Sequence, residues 1–275
     1  MINKKYCPNC ESGKRKLILD VSGEKDTYLD YLNSKGYLDI DYKNIVRQYW
    51  QCEGCGLVYR SPVLDKNEKE ILYEYFRDVE FRGENRQEYF NRITSYPRQE
   101  SENYEKCRFL EKYIPETGTL LDVGCGAGVF IYAFKNYFQK WEVLGIEPTE
   151  GFAEFAEKEG IKVDYGYLTE NTYDKTFNLI SLIHVLEHVD SPKPMLSLLK
   201  KYLGSKSLLY IESPSVKDID YLPSSHDRFM SQHDVIFSES FLQNCLRESG
   251  YEIAASEDFI SARKRNNVRI LAKLL

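Results

Sequence analysis

No apolar run in the 275 residues approaches the roughly 18–20 residues that a membrane-spanning helix needs. The lysines near the N-terminus are followed by no apolar h-region, so no signal peptide is expected and a cytoplasmic location is. There is no basic excess: 37 Lys and Arg face 43 Asp and Glu, for a net charge of −6. Phosphate binding ordinarily needs a basic surface, so nucleic acid is not the expected partner. Internal repeats and low-complexity tracts are absent, which excludes a solenoid or propeller array. Histidine is scarce, at four, and tryptophan scarcer, at two. What remains is 42% hydrophobic and 29% charged, the balance of a soluble globular chain with room for one large domain and an appendage. Tyrosine is abundant, at 22, and the cysteines number seven. In a reducing compartment those cysteines point to metal or chemistry before disulfides.

Four of the cysteines form two C-x-x-C knuckles, Cys7-Pro8-Asn9-Cys10 and Cys52-Glu53-Gly54-Cys55. Gly13 follows the first and Gly56 the second, and glycine permits the left-handed backbone that turns amide groups towards thiolates. Four thiolates suit tetrahedral Zn²⁺, and a closed shell leaves no open position. A structural zinc held by Cys7, Cys10, Cys52 and Cys55 is therefore expected, with unliganded thiols or a redox dithiol as the alternatives. The knuckles lie further apart than the roughly 15–20 residues of a compact ribbon. The polar, tyrosine-rich stretch 24–45 reads as an insertion between them. Cys107, Cys125 and Cys245 stand at no ligand spacing.

Residues 1–62 thus read as a zinc-binding module, with short strands near 17–19 and 56–59. Residues 63–115 are polar and rich in helix formers, with apolar residues at helical spacing (Ile71, Leu72, Tyr75, Phe76, then Cys107, Phe109, Leu110, Tyr113). They read as a helical linker or cap, in which 77–103 is a lid or a bridging helix. From 116 to 275 the pattern changes to short apolar runs at 119–123, 142–146, 161–165, 177–183 and 207–212. These alternate with amphipathic helices at 127–138, 149–159, 192–203 and 238–249. Such alternation predicts an α/β domain, a parallel sheet covered on both faces. Two further strands, near 251–258 and 267–274, have no helix between them and suit an antiparallel hairpin at the edge of the sheet.

The first of these strands runs into Leu120-Leu121-Asp122-Val123-Gly124-Cys125-Gly126-Ala127-Gly128, a strand, a glycine turn and a helix start. Glycines there let a ligand approach the backbone beneath a helix N-terminus. The second strand ends on Glu147-Pro148, where a carboxylate can accept bonds from both hydroxyls of a ribose. The spacing G-x-G-x-G departs from the G-x-G-x-x-G of nicotinamide-dependent enzymes. With this loop and Glu147, residues 105–275 resemble the class I S-adenosylmethionine-dependent methyltransferases. The resemblance implies a Rossmann-like seven-stranded sheet whose last strand is antiparallel, with S-adenosylmethionine as cofactor and S-adenosylhomocysteine as product. It implies that Gly124, Gly126 and Gly128 lie along the methionine part, with Cys125 a small filler among them. Asp122 orders the loop or reaches the amino group through water. Glu147, with Pro148 beside it, meets the ribose; Tyr167 and Leu168 lie near the adenine; His184 stands beside the cofactor.

The four histidines fall in two places. His184 and His188 follow the fourth strand in Ile183-His184-Val185-Leu186-Glu187-His188-Val189; His226 and His233 follow the fifth, each beside an aspartate, Asp227 and Asp234. Ligands in an open α/β sheet bind outside the carboxyl ends of the strands, so both groups are expected on the active rim. The i, i+4 spacing puts His184 and His188 on one face if the turn is helical. The order H-x-x-E-H is not the H-E-x-x-H of zinc proteases, so a metal is not expected there. A hydroxyl acceptor calls for a general base and histidine has the right intrinsic pKa, so His233, His188 and His226 are the candidate catalytic residues, His233 first. The alternative for His233 is a structural hydrogen bond at a helix entry.

The run Gln232–Ser238 and the knuckle run Trp50–Tyr59 resemble a bacterial subfamily that joins an N-terminal zinc module to a methyltransferase. The resemblance implies a sugar acceptor in surface polysaccharide or antibiotic pathways. Sugar C-methyltransferases of this design carry Tyr-His-Glu-His where this chain has Met230-Ser231-Gln232-His233, so only the last histidine is kept. O-methylation of a sugar or sugar-linked group, in capsule or lipopolysaccharide assembly, fits better than C-methylation. The expected partner is a small-molecule or saccharide acceptor. An RNA methyltransferase that holds RNA with the zinc module is the other reading, and the acidic balance counts against it. The intact glycine loop and Glu147 speak against a non-catalytic scaffold. Tyr73, Tyr75, Tyr89, Tyr96 and Tyr104 stack on a sugar or pack the helices; Arg82, Arg86, Arg92 and Arg98 meet a phosphate or face solvent.

Overall fold

The computed structural model describes residues 1–75, 79–189 and 191–275. Phe76 and the first two residues of the 77–103 stretch lie outside the described residues.

The chain begins with an antiparallel meander of β1 (Arg15–Asp20), β2 (Gln48–Cys52) and β3 (Val58–Ser61), with α1 (Thr27–Ser34) in the first connection. β2 is not among the strands that the sequence predicts. Its run Gln-Tyr-Trp-Gln-Cys is short and half polar, and pairing on both sides fixes it. α1 starts where the Asp26 carboxylate accepts a hydrogen bond from the Leu29 backbone N–H, an N-cap that satisfies an orphan donor. The insertion 24–45 is not a loose excursion. Its Tyr28, Leu29, Leu32 and Tyr42 pack with Leu64 and Leu72 of the following segment.

Helices α2 (Lys66–Tyr75), α3 (Val79–Arg82), α4 (Arg86–Thr94) and α5 (Glu102–Leu110) come next. A capping box between Asn85 and Glu88 starts α4, and Ser101 caps α5. α5 packs on the large sheet through Cys107, Phe109 and Leu110, which share a cluster with Tyr210 and Leu271.

From there strands and helices alternate: β4 (Thr119–Val123), α6 (Val129–Tyr137), β5 (Glu142–Glu147), α7 (Glu150–Lys158), β6 (Val163–Tyr165), β7 (Phe177–Ile183), α8 (Pro192–Leu199), β8 (Leu203–Pro214), β9 (Val235–Ile236), α9 (Glu239–Glu248), β10 (Tyr251–Ile260) and β11 (Asn266–Leu274). Seven of them form one sheet in the order β10-β11-β8-β7-β4-β5-β6. The run β8-β7-β4-β5-β6 is parallel, and β11 is antiparallel to both of its neighbours. This is the Rossmann-like sheet with an antiparallel last strand. Leu120, Leu121 and Val123 of β4 and Leu179, Ile180 and Leu182 of β7 are all buried, as strands covered on both faces must be. The late hairpin sits with β11 inside and β10 at the edge. Val268, Ile270, Leu271 and Ala272 bury both faces of β11, whereas burial alternates along much of β10.

Sheet order reverses between β4, which leads outward to β5, and β7, which leads the other way to β8. A crevice opens at such a switch point, at the carboxyl ends of β4 and β7. The N-terminal sheet reaches it from one side. β9 leaves the large domain to pair with β3, Val58 opposite Ile236 and Tyr59 opposite Val235. Cys7, Cys52, Leu57 and Tyr59 accordingly share one buried cluster with Leu182, Leu186, Phe237 and Leu242. A two-residue strand carries no periodicity, so this junction is invisible in the sequence. No helix among the described residues is long and apolar enough to cross a membrane.

Candidate active site

The glycine loop after β4 has Gly124, Gly126 and Gly128 at φ of 70°, 55° and 75°, a left-handed path that glycine follows without steric cost. Their roles differ. A Cβ on Gly124 would stand 2.8 Å from Cγ2 of Val185, and one on Gly128 would stand 2.5 Å from Cδ1 of Ile161. A Cβ on Gly126 would meet nothing within 4 Å among the described residues. The outer glycines thus serve packing, while Gly126 leaves room for a ligand. The Cys125 side chain turns inward, and a Cβ on Gly145 of β5 would lie 2.5 Å from its Sγ.

Glu147 at the end of β5 ties this loop down. One carboxylate oxygen accepts the Gly126 N–H at 2.8 Å and the other accepts the Thr149 N–H at 3.0 Å. Burial raises its pKa, and those two bonds work against the rise. Each oxygen keeps a second lone pair, so hydroxyl groups of a ribose can be accepted with the loop held in place. Room over Gly126 beside a carboxylate at the strand end fits S-adenosylmethionine. Pro148 is half-buried; Leu168 is buried and Tyr167 exposed on the chain leaving β6, where Gly166 N–H donates to the Glu147 carbonyl. Asp122 lies deeper. It is 3% exposed and accepts the Ser181 hydroxyl at 2.5 Å. Burial pushes it up to about 7.

The turn after β7 carries the next group of candidate site residues. His184 takes a φ of 55°, and its Nδ1 lies 2.9 Å from Oε1 of Glu187. Its Nε2 is 3.8 Å from Glu212, which is itself paired with Lys106 at 3.1 Å. A short 3₁₀ turn, Leu186–His188, follows. His184 therefore meets the residue three along and not His188, and the common face expected of the two histidines is replaced by a His184–Glu187 pair. Glu187 is fully buried and accepts the Ser213 hydroxyl at 3.0 Å. Burial opposes its ionisation, but the His184 hydrogen bond and the electrostatic pull of the surrounding histidines outweigh it and bring Glu187 to about 2.

His188 and His233 come together, with ring centroids 5.2 Å apart. Nδ1 of His188 lies 2.6 Å from the Gln232 carbonyl, and Nδ1 of His233 lies 2.8 Å from the Arg228 carbonyl. A carbonyl only accepts, so each Nδ1 donates to it, and Nε2 is the ring nitrogen left for other partners. Burial, with His188 beside it, lowers His233 to about 3. One ligating atom each from Glu187, His188 and His233 lie within 4.8 Å of one another. Tyr73 sets its ring edge against His188, with centroids 5.4 Å apart. His226 is not in this group: its Nδ1 accepts the Arg228 N–H at 3.1 Å and caps a 3₁₀ turn. Asp234 pairs with Lys69, and Asp227 with Arg265 at 3.2 Å. Glu187 is the site residue that the sequence reading passed over. Its position three residues after His184 in H-x-x-E-H was the available signal.

The four knuckle cysteines gather into one group. Sγ of Cys7 is 3.6 Å from that of Cys55, and Sγ of Cys10 is 3.5 Å from that of Cys52. Around a tetrahedral ion with bonds of about 2.3 Å, sulfurs stand roughly 3.7 Å apart, so the donor set fits zinc. The arginines of the helical segment face other side chains. Arg86 lies over Phe152, Arg98 lies over Tyr104, and Arg92 binds Glu84 at 2.6 Å. Tyr75 stacks on Tyr37 with centroids 3.9 Å apart.

The methyltransferase-domain family model matches residues 96–256. The chain belongs to this methyltransferase family. Over 107 residues it is 30% identical to an uncharacterized methyltransferase of Schizosaccharomyces pombe, covering 34% of this chain and 38% of that one. Over 115 residues it is 23% identical to (S)-tetrahydroprotoberberine N-methyltransferase of Eschscholzia californica, covering 39% and 33%. The chain thus spans about a third of the length of these curated relatives. Among solved structures, a possible histamine N-methyltransferase of Thermotoga maritima superposes with a TM-score of 0.54 at 18% identity, over 73% of this chain and 98% of that one. Coclaurine N-methyltransferase superposes with a TM-score of 0.52 at 14% identity, over 65% and 74%. At these identities the two share the fold of the methyltransferase.

Proposed function

We propose that this methyltransferase methylates a hydroxyl group of a sugar or sugar-linked acceptor, in the assembly of a surface polysaccharide such as capsule or lipopolysaccharide. The observation that carries the reading is the His188–His233 pair, two imidazoles with ring centroids 5.2 Å apart whose Nδ1–H groups are held by backbone carbonyls, which leaves Nε2 of each to meet an acceptor. Val185, whose side chain lies over Gly124, accepts the His188 backbone N–H at 3.1 Å and so links the loop to one member of the pair. S-adenosylmethionine, when bound, supplies the methyl group on a sulfonium and leaves as S-adenosylhomocysteine. The loop Gly124–Gly128 lies along its methionine part and is open to it at Gly126, with Gly124 and Gly128 packed to hold the loop's path; Glu147 meets its ribose, and Tyr167 and Leu168 lie near its adenine. A protonated hydroxyl is a poor nucleophile, and the histidine pair is where it binds and loses its proton. His184, tied to Glu187, borders the cofactor side.

The four cysteines hold a structural Zn²⁺ in this reading. The β3–β9 pairing and the bond from the Tyr49 hydroxyl to the His233 carbonyl, at 3.1 Å, link that module to the acceptor side. The net charge of −6 favours a small acceptor over RNA. Turnover of labelled S-adenosylmethionine against nucleotide sugars, polysaccharide fragments and RNA tests the proposal. A hydroxylated saccharide should be methylated, and His233→Ala should lose about 10²–10⁴-fold in turnover with cofactor affinity unchanged. Full turnover by that variant, or methylation of RNA alone, refutes it.

A further inference from the structure

Three side chains of metal-ligating type gather beside the turn after β7. One ligating atom each of Glu187, His188 and His233 lies within 4.8 Å of the others, and with each Nδ1 taken up by a backbone carbonyl, Nε2 is the nitrogen that each imidazole has left to offer. Glu187 is fully buried, and its one ion-pair partner among the described residues is His184. Buried carboxylates are ordinarily paired with a cation or coordinate a metal. A substrate hydroxyl can donate to one of these acceptors at a time; a cation satisfies all three.

We infer that Glu187, His188 and His233 form a binding site for a divalent first-row transition-metal ion, separate from the cysteine cluster. Two imidazoles and a carboxylate are a donor set for such ions, and three protein ligands leave positions open. The surroundings are those of a metal site. Both ligating histidines donate their Nδ1–H to backbone carbonyls, those of Gln232 and Arg228, which leaves Nε2 of each for the ion. Glu187 is oriented by Ser213 and His184. The ligating atoms lie within 4.8 Å of one another. Around an ion with bonds of about 2.1 Å they would stand roughly 3–3.5 Å apart, so side-chain rotations of about an ångström close the site.

The inference deepens the acceptor-side reading and rests on it for its role. With the ion in place, His233 is a ligand and not a free base. An acceptor hydroxyl enters an open position, where it gives up its proton to water more readily than when unbound.

The test is equilibrium dialysis of the full, zinc-loaded chain against Co²⁺, with metal analysis and visible absorption. One Co²⁺ per chain should bind beside the retained zinc, with weak bands of a nitrogen–oxygen site and no intense sulfur-to-cobalt bands. His188→Gln and His233→Gln should each weaken Co²⁺ binding at least tenfold. Unchanged calorimetric binding of S-adenosylmethionine will show that the variants fold. No Co²⁺ bound by the wild-type chain, uptake only with thiolate bands, or equal affinity in the variants overturns the inference. If His233→Ala lowers turnover while the wild-type chain binds no Co²⁺ and resists chelators, the metal site falls and the hydroxyl-acceptor reading stands. If Co²⁺ binds here but no hydroxylated acceptor is methylated, the metal site stands and that reading falls.

Discussion

Asp122 offers a stability measurement whose size follows from its position. It sits at the end of β4 with the Ser181 hydroxyl on one oxygen. Burial, with the Glu147 carboxylate nearby, moves it from 3.8 to about 7. Between those values the folded chain holds one more proton than the unfolded chain, so stability falls as pH rises, by about 1.4 kcal/mol per pH unit. From pH 5.5 to 8 the loss is about 2 kcal/mol, most of it below pH 7, where the slope begins to level off. Asp122→Asn is nearly isosteric and has no proton to lose. Urea denaturation of both proteins without cofactor, at intervals from pH 5.5 to 8, should show the variant gaining about 2 kcal/mol on the wild type across that range. The comparison matters because the wild-type curve alone is mixed. His233, lowered by burial from 6.5 to about 3, stays neutral in the fold, and its contribution is lost as pH falls below its unfolded value of 6.5, which is the opposite slope. Glu187 and Glu102, both at about 2, lose their contributions only below their unfolded value of 4.5, outside the window. A stability difference that is flat from pH 5.5 to 8 would show Asp122 ionised throughout and refute the burial argument.

Gly126→Ala should weaken S-adenosylmethionine binding at least tenfold in calorimetry with a stability loss of only about 1 kcal/mol, since the methyl group enters ligand space. Gly128→Ala, driven against Ile161, should lower the unfolding midpoint more than Gly126→Ala does. Glu147→Gln turns an amide NH₂ towards a backbone N–H, so cofactor affinity should fall about tenfold or more with the fold kept. Lys106→Met leaves the buried Glu212 carboxylate without its cation and should cost about 3–5 kcal/mol in denaturant unfolding. Metal analysis should find one zinc per chain on the cysteines. Cys52→Ser should abolish it and, through the β3–β9 pairing, also lower turnover.

Much of the α/β domain is legible along the chain, because a doubly covered parallel sheet imposes strong local signals. Buried strands are near-continuous apolar runs such as Phe177–Ile183, and each helix carries one apolar stripe, as Phe241, Leu242, Cys245 and Leu246 do in α9. The glycine loop is equally plain, since left-handed backbone at three positions demands glycine. Elements fixed by partners distant in sequence leave no such trace. β2 is held by neighbours on both sides, and β9 is a two-residue strand held by β3. The tyrosines were ambiguous for the same reason. Tyr42, Tyr49, Tyr59, Tyr202, Tyr210 and Tyr251 turn out to be fully buried, so a good part of the excess is core packing.

The order of strands and helices, the glycine loop with an acid at the second strand end, and the pairing of cysteines into two knuckles can all be read along the chain. All of these depend on residues a few positions apart. Only the tertiary structure decided which histidines meet. His188 and His233 lie in different loops, and their approach depends on β9 crossing to the N-terminal sheet. His184, four residues from His188, is turned away by its left-handed backbone and the 3₁₀ turn that follows. Proximity across 45 residues of chain is set by packing, which spacing alone does not encode.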